Sequence, residues 1–350
     1  VGDELVVGLI NDEEIVTNKG TPPVIPEEER YICLSACKWA DEVIRDAPYE
    51  LTPEWTMKLI NEYKIDYIVH GDDPCISADG KDCYATAKKL GRFKTIKRTE
   101  GVSTTDLVGR MLLMSTEHHI RKPVGDTKSE EESASESAKY VRDRSQSVDE
   151  TPQTAPRISQ FLPTSRRIAQ FAEGRKPKPG DRIVYIHGAF DLFNAGHITA
   201  LKKAREFGDF LLVGVLDDHT VHESRGAGFP IMNLHERALS VLSCRYVDEI
   251  IMGAPWVVTP DLITSMNISA VVAGKVSDAN NLPGTGKLDD EGDPFQHAKD
   301  RGIFHNFVSD STVTALSVVQ RVAESRAMFE ARFKKKAAME AKYLAEKEFV

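Results

Sequence analysis

Short apolar runs alternate with helix-length segments along most of this chain. LVVGLI (5–10), EVI (42–44), YIVHG (67–71) and GRFKTI (91–96) are strand candidates in the first third. RIVYI (182–186), LLVGVL (211–216), EIIMG (249–253) and AVVAG (270–274) are strand candidates further on. Most are nearly continuous in Val, Ile and Leu rather than alternating with polar residues. Strands of that kind are buried on both faces, and helical segments between them predict a parallel sheet covered on either side. The expected architecture is doubly wound α/β, with ligands at the C-terminal ends of the strands.

Three stretches break the pattern. Residues 125–156, GDTKSEEESASESAKYVRDRSQSVDETPQTAP, are polar and acidic and read as a disordered linker. RISQFLPTSRRIAQFAEG (157–174) regains apolar periodicity and is expected to pack on a domain. The tail, 321–350, reads as a charged, solvated helix; a membrane-surface helix is the alternative, with a thin apolar face and mixed charge.

The apolar pattern also repeats. GDELVVGLINDEE (2–14) matches GDFLLVGVLDDHT (208–220), NKG (18–20) matches SRG (224–226), and EER (28–30) matches HER (235–237). ACKWADEVI (36–44) matches SCRYVDEII (243–251), APY (47–49) matches APW (254–256), and IDYIVHG (65–71) matches ISAVVAG (268–274). Order and spacing persist, so the chain holds two copies of one domain; the period is too long for a solenoid.

Composition narrows the class. The chain has 350 residues, 41% hydrophobic and 28% charged, which suits two soluble globular domains. A net charge of −9 argues against a protein that coats nucleic acid. Five cysteines, odd in number and without a C-x-x-C pair, indicate neither a disulfide framework nor a zinc site, and suggest a reducing compartment. No signal peptide and no membrane-spanning run is visible.

The chemistry concentrates in two strings. HGAFDLFNAGH (187–197) lies between a strand and a helix. Small residues there let backbone approach a phosphate chain, and the helix N-terminus favours anions. His197 is placed to donate to a phosphoryl oxygen. The second string is KRTEGVSTTDLVGRML (97–112), whose hydroxyls precede a helix.

The first string resembles the H-x-G-H region of the cytidylyltransferase family, and the second resembles that family's R-T-x-G-[IV]-S-[ST]-[ST]-D signature. The tandem arrangement resembles the ethanolamine-phosphate branch. The resemblance implies two tandem doubly wound, Rossmann-like nucleotidyltransferase domains, the first incomplete. It implies transfer of CMP from CTP to phosphoethanolamine, with Mg²⁺ on the phosphates; choline phosphate as acceptor and a non-catalytic regulatory role are the alternatives. Arg98, Thr99, Gly101, Ser103, Thr104 and Thr105 match the CTP signature, with Asp106 as a first-turn carboxylate. His70, Gly71, Asp72 and Asp73 follow a strand end where family members contact substrate. Ala189, Phe190, Asp191 and Gly196 are the nucleotide-binding positions of the second copy. Lys19 matches the lysine that holds the acceptor phosphate. Tyr49 and Tyr84 fall where aromatic faces border a cationic headgroup. Asn194 and His197 occupy the catalytic histidine positions. Arg30 and Arg237 are expected either to form salt bridges or to reach a triphosphate, and His118-His119 to lie on the surface.

The resemblance also implies the partners: CTP and phosphoethanolamine, no nucleic acid, with peripheral membrane contact and a homodimer both allowed. The compartment is the cytoplasm, with peripheral association at the endoplasmic reticulum or mitochondrial outer surface as an option.

Each copy departs from the family pattern. The first has no H-x-G-H turn and no strand before Gly2, which corresponds to Gly208. A truncated record or an alternative start is the expected cause. In the second, Asn194 replaces the first histidine, Ala273-Gly274 replaces His70-Gly71, and VTAL (313–316) stands against STTD (103–106), leaving Thr314 alone. Lys19 becomes Arg225. The second copy is therefore expected to be catalytically weak or inactive. The expected divisions are a first domain at 1–118, a linker at 119–156, a degenerate second domain at 157–325, and a helical tail at 326–350.

Overall fold

The computed structural model describes residues 2–72, 75–77, 80–97, 104–113, 176–226, 228–275 and 292–331. The first copy runs β1 (Val6–Gly8), α1 (Asp12–Lys19), α2 (Glu27–Ser35), β2 (Glu42–Ile44), α3 (Pro53–Asn61), β3 (Ile68–Gly71), α4 (Ala85–Lys89), β4 (Phe93–Ile96) and α5 (Thr104–Leu113). The second runs β5 (Ile183–Gly188), α6 (Ala195–Arg205), β6 (Phe210–Leu216), α7 (Asp218–Arg225), α8 (Leu234–Leu242), β7 (Glu249–Ala254), α9 (Pro260–Ser265), β8 (Ile268–Lys275), α10 (Gln296–Asp300), β9 (Phe304–Val308) and α11 (Ala315–Glu324). The linker expected at 119–156 and the segment at 157–174 lie outside the described residues, as does most of the expected tail.

Helix starts follow local chemistry. Asn11 caps α1 by accepting from Glu14 N, and three acidic residues in the first turn complement the helix dipole. Gly20 ends that helix at φ 68°, where a side chain would be strained. Thr52 caps α3, with Pro53 in its first turn. Capping boxes open α8 (Asn233 with Glu236) and α11 (Thr314 with Ser317).

The second copy is a five-stranded sheet ordered β7-β6-β5-β8-β9, parallel throughout. All seven residues of β6 are buried, as a central parallel strand requires. Among the described residues, the first copy has two separate parallel pairs, β1 with β2 and β3 with β4. Their registers reproduce those of the second copy. Val6 opposes Glu42 as Leu212 opposes Glu249, and Ile68 opposes Phe93 as Val271 opposes Phe304. The strands β1 to β4 thus correspond to β6, β7, β8 and β9. The strand that joins such pairs into one sheet is β5, and it has no counterpart among the described residues of the first copy.

The copies meet through reciprocal contacts. Lys38 N donates to Ser243 O (2.9 Å) and Arg245 N donates to Ala36 O (2.8 Å). Helix α5 packs on α11, its own counterpart, and α2 packs on α6. Two apolar clusters cross the junction. One joins Ala36 to Val184, Leu201, Leu211 and Val213; the other joins Val108 and Met111 to Ile231, Val318 and Val322. Equivalent residues contacting each other both ways is the geometry of a two-fold dimer interface, here within one chain. Among the described residues no helix is long and apolar enough to cross a membrane.

Candidate active site

In the second copy, the turn after β5 is closed on itself. Asn194 is the N-cap of α6: its Oδ1 accepts from Gly196 N (2.9 Å) and His197 N (3.4 Å), and its Nδ2 donates to Leu192 O (2.9 Å). Asn194 is fully buried, so the side chain expected to face a phosphate is spent on local backbone. His197 Nδ1 accepts from Asn194 N (3.2 Å), and its ring stacks on Phe193 with centroids 5.6 Å apart. Burial, with Arg225 nearby, pushes the His197 pKa down to about 3, so the ring is neutral near pH 7. Gly196 is small for a packing reason: an added Cβ would sit 2.0 Å from Val313 O.

The other positions assigned to nucleotide in this copy are also occupied by the protein. Asp191, fully buried, accepts from Leu192 N (3.0 Å), Ile231 N (2.7 Å) and Met232 N (2.9 Å). Burial raises its pKa, while those backbone bonds and Arg237 oppose the shift. Ala189 O accepts from Arg237 Nη1 (2.6 Å), and Phe190 is buried at φ 50°. Ala189, Phe190, Asp191, Asn194 and Gly196 are thus buried in the turn, with their hydrogen bonds made within the protein, while His197 is half-buried at its edge. Arg237 forms a salt bridge with Asp218 at 2.7 Å, and Arg30 one with Asp12 at 2.6 Å.

Beyond the turn, β5 and its neighbours build an aromatic group. The His187 ring lies 5.1 Å from Phe295, 5.8 Å from Tyr185 and 6.3 Å from Trp256. Burial pushes the His187 pKa down to about 4. Tyr185 Oη, His187 Nδ1 and Trp256 Nε1 are enclosed without a hydrogen-bond partner. Trp256 is the counterpart of Tyr49 and Phe295 of Tyr84. Sequence reasoning missed this group, although the APY/APW match pointed to it.

The first copy presents its candidates differently. Lys19, at the exposed end of α1, holds its Nζ 5.8 Å from the Tyr49 ring centroid. Tyr49 N donates to Glu14 Oε2 (3.3 Å). At the C-terminal end of β3, His70 Nδ1 lies 3.1 Å from Gly71 O, and its ring is 4.9 Å from Tyr84, which in turn is 5.1 Å from Phe93. Asp72, next along, is exposed. Thr104 opens α5 and is exposed, as is Asp106 in the first turn; Thr105 lies between them in the chain. The structure thus groups Lys19 with Tyr49, and His70 with Tyr84. Arg98, Thr99, Gly101 and Ser103 lie outside the described residues, as do Asp73 and the His118-His119 pair.

Two arginines that sequence reasoning passed over cross the junction. Arg110 on α5 forks onto Glu236 of the second copy (2.8 and 3.0 Å) and donates to Ile231 O (3.3 Å). Arg321 on α11 meets Glu29 of the first copy at 3.0 Å. Glu29 and Glu236 are equivalent, so Arg110 and Arg321 are too. That pairing sets Ser103 against Thr314, one residue from the alignment of STTD with VTAL. A cavity of about 270 Å³ lies beside Arg321, lined by Asp12, Pro22, Val24, Glu324 and Phe329 among others.

Parallel sheets flanked by helices, in two copies, with the first copy's candidate groups at strand ends and helix starts, fit a nucleotidyltransferase-type α/β protein. Comparison with known proteins narrows this. The family described as "Cytidylyltransferase-like" matches residues 1–110 and 185–299. An ethanolamine-phosphate cytidylyltransferase of Arabidopsis thaliana is 50% identical over 350 residues, covering 100% of this chain and 80% of that protein. One of Dictyostelium discoideum is 48% identical, covering 98% of this chain and 89% of that protein. A probable choline-phosphate cytidylyltransferase of Schizosaccharomyces pombe is 45% identical over 108 residues, 31% of this chain and 28% of that protein. The chain belongs to the ethanolamine-phosphate cytidylyltransferase family.

Proposed function

We propose that the protein transfers CMP from CTP to phosphoethanolamine, giving CDP-ethanolamine and pyrophosphate, a step of phosphatidylethanolamine synthesis. The observation that carries the reading is likeness to ethanolamine-phosphate enzymes across the whole chain, where likeness to the choline-phosphate enzyme covers a third of it. The first copy supplies the working residues. An acceptor phosphate oxygen attacks the α-phosphorus of CTP in line; a P–O bond forms, and the bond to the pyrophosphate oxygen breaks. No protein nucleophile is needed, so the protein contributes positioning and electrostatic stabilisation.

Lys19 holds the acceptor phosphate, and the Tyr49 face beside it suits the ammonium at the other end of so short a molecule. His70 and Asp72 line the end of β3. Thr104 and Thr105 meet the triphosphate at the start of α5, joined by Arg98, Thr99, Gly101 and Ser103. Mg²⁺ fits this chain as an ion carried on the triphosphate: among the described residues no group of three or more His, Cys, Asp or Glu could hold a metal. The bound ion would neutralise phosphate charge. The reading places the work in the cytoplasm, with peripheral contact at a membrane and a homodimer allowed.

The test is product formation by the purified protein from labelled CTP, with phosphoethanolamine and phosphocholine offered separately. Lys19→Ala is expected to lower kcat/KM for phosphoethanolamine about 100-fold, and Arg225→Ala to leave it unchanged. Equal use of phosphocholine overturns the headgroup assignment. CTP binding without pyrophosphate release supports the regulatory alternative instead.

A further inference from the structure

A thiol stands on each side of the junction between the copies, at equivalent positions. Cys37 in ACKWADEVI and Cys244 in SCRYVDEII are the two partners of an isolated antiparallel bridge. The bridging hydrogen bonds are made by their neighbours, Lys38 N to Ser243 O (2.9 Å) and Arg245 N to Ala36 O (2.8 Å). Bonds placed that way mark the non-hydrogen-bonded type of antiparallel pair. Opposite Cα atoms there lie about 4.5 Å apart and their side chains leave on one face. A disulfide needs Cα atoms about 4.4–6.8 Å apart. Both cysteines are free; Cys37 is half-buried and Cys244 is 1% exposed.

We propose that Cys37 and Cys244 are an oxidative modification site, forming a disulfide that ties the two copies together across their pseudo-two-fold axis. The oxidant is a low-molecular-weight disulfide such as oxidised glutathione. Cys37, the more accessible thiol, loses its proton to solvent and its sulfur attacks one sulfur of the oxidant. The oxidant S–S bond breaks and one small thiolate leaves. Cys244 then loses its proton and attacks the Cys37 sulfur of the mixed disulfide, releasing the second small thiol. Two protein thiols lose two electrons in total, and one small disulfide becomes two thiols.

Burial sets the rates. It pushes the Cys244 thiol up to about 11, against a backbone hydrogen bond from Tyr246 and the nearby charges of Lys38 and Arg245. Burial lowers the thiolate fraction available for the second attack, while the opposed positions of the two residues make that attack intramolecular. Cys33, on α2, lies near enough to Cys244 to influence it electrostatically and is pushed up to about 11 by burial first, then by Glu29. It is the natural competitor for Cys244.

The experiment treats the purified protein with oxidised glutathione, alkylates the remaining thiols, digests it, and identifies linked peptides by mass spectrometry. A Cys37–Cys244 peptide, lost on reduction and retained in Cys33→Ser, is the expected result. Wild type should also show a higher midpoint of thermal unfolding after oxidation, reversed by dithiothreitol and absent in Cys37→Ser. Glutathione stopped on Cys37 with no cross-link, or a dominant Cys33–Cys244 link, overturns the proposal. The peptide measurement needs no variant, so a folding defect in a mutant does not protect the idea.

Discussion

Arg30 and Arg237 occupy the same place in the two copies. Arg30 donates to Ile25 O (3.1 Å), Ile10 O (2.8 Å) and Asp12 (2.6 Å). Arg237 donates to Met232 O (3.0 Å), Ala189 O (2.6 Å) and Asp218 (2.7 Å). Two of the three partners correspond. The middle one does not: Arg237 reaches the turn after β5, whereas Arg30 turns back to the end of β1. The side chain of Arg237 is fully buried, and that of Arg30 is 20% exposed. The second copy thus holds its turn around a buried arginine, and the described residues of the first copy contain no counterpart of that turn. In the first copy the corresponding arginine is mostly buried, Tyr49 is half-buried and Lys19 is exposed.

The largest break in this comparison is Arg237→Ala. It leaves Asp218 and two carbonyls without their cation and should cost about 3–5 kcal/mol. Arg30→Ala should cost about 1–2 kcal/mol, because water can replace part of what is lost. Urea unfolding of both variants decides; equal costs would mean that burial and the bond to the turn after β5 add little.

Gly196→Ala is next. Its Cβ would meet the Val313 carbonyl at 2.0 Å, backbone against backbone, so the β9–α11 connection must shift. A cost of about 2–3 kcal/mol is expected. Gly8→Ala in the first copy meets only Ala47 Cβ at 3.2 Å and should cost under about 1 kcal/mol. If Gly196→Ala instead leaves stability intact and weakens nucleotide binding, the glycine serves a ligand after all.

Much of the fold was legible because buried parallel strands are written as continuous apolar runs. RIVYI, LLVGVL and EIIMG all become strands of the central sheet, and EVI is β2 itself. Strand β9, FHNFV, was not singled out: it lies at the sheet edge and exposes most of its residues, so its sequence carries little apolar signal. The correspondence of the two copies was legible from the repeat, and the matching registers of β1 to β4 with β6 to β9 are its physical expression. The local bonding of the second-copy turn was not legible for a specific reason. An Asn or His at a helix start satisfies backbone N–H and C=O groups or a ligand with the same atoms, and sequence alone does not show the buried cap that Asn194 makes. The cross-junction pairs were invisible because Arg110 and Glu236 are 126 residues apart, and Arg321 and Glu29 are 292 apart.

Acid sharpens the same contrast. His187 and His197 belong to the second copy, with pKa values held at about 4 and about 3 by burial. An unfolded histidine titrates near 6.5. Below that pH the unfolded chain binds protons the folded chain refuses, so stability is full above about pH 6.5 and falls as pH drops toward the folded values. Protonation at His197 Nδ1 also removes the acceptor for Asn194 N. A loss of about 1–2 kcal/mol by pH 5 is expected, discounted because both rings are partly exposed. Hydrogen exchange should show β5 and α6 losing protection first, and His197→Gln should flatten the profile. Loss beginning in β1 or α1 would point to another group.

The smallest effect concerns the two cross-junction arginines. Arg110 uses both terminal nitrogens on Glu236, and both side chains are mostly buried, at 21% and 13% exposure. The hydrogen bond to Glu236, then its charge, holds the Arg110 pKa above its usual value against burial. Arg321 reaches Glu29 through Nη2 alone, while its Nη1 is enclosed without a partner. A forked ion pair is stronger than a single contact, so double-mutant cycles with Glu236→Gln and Glu29→Gln should give coupling of about 1 kcal/mol and about 0.5 kcal/mol respectively. The functional asymmetry runs the same way. Arg110 anchors the helix whose first residues meet CTP in the proposed reaction, and Arg321 anchors its counterpart in the second copy. Arg110→Gln should therefore raise KM for CTP several-fold with little change in kcat, whereas Arg321→Gln should leave both unchanged. Matching effects of the two variants on KM would mean that the second copy contributes bulk stability to α5 and no specific orientation.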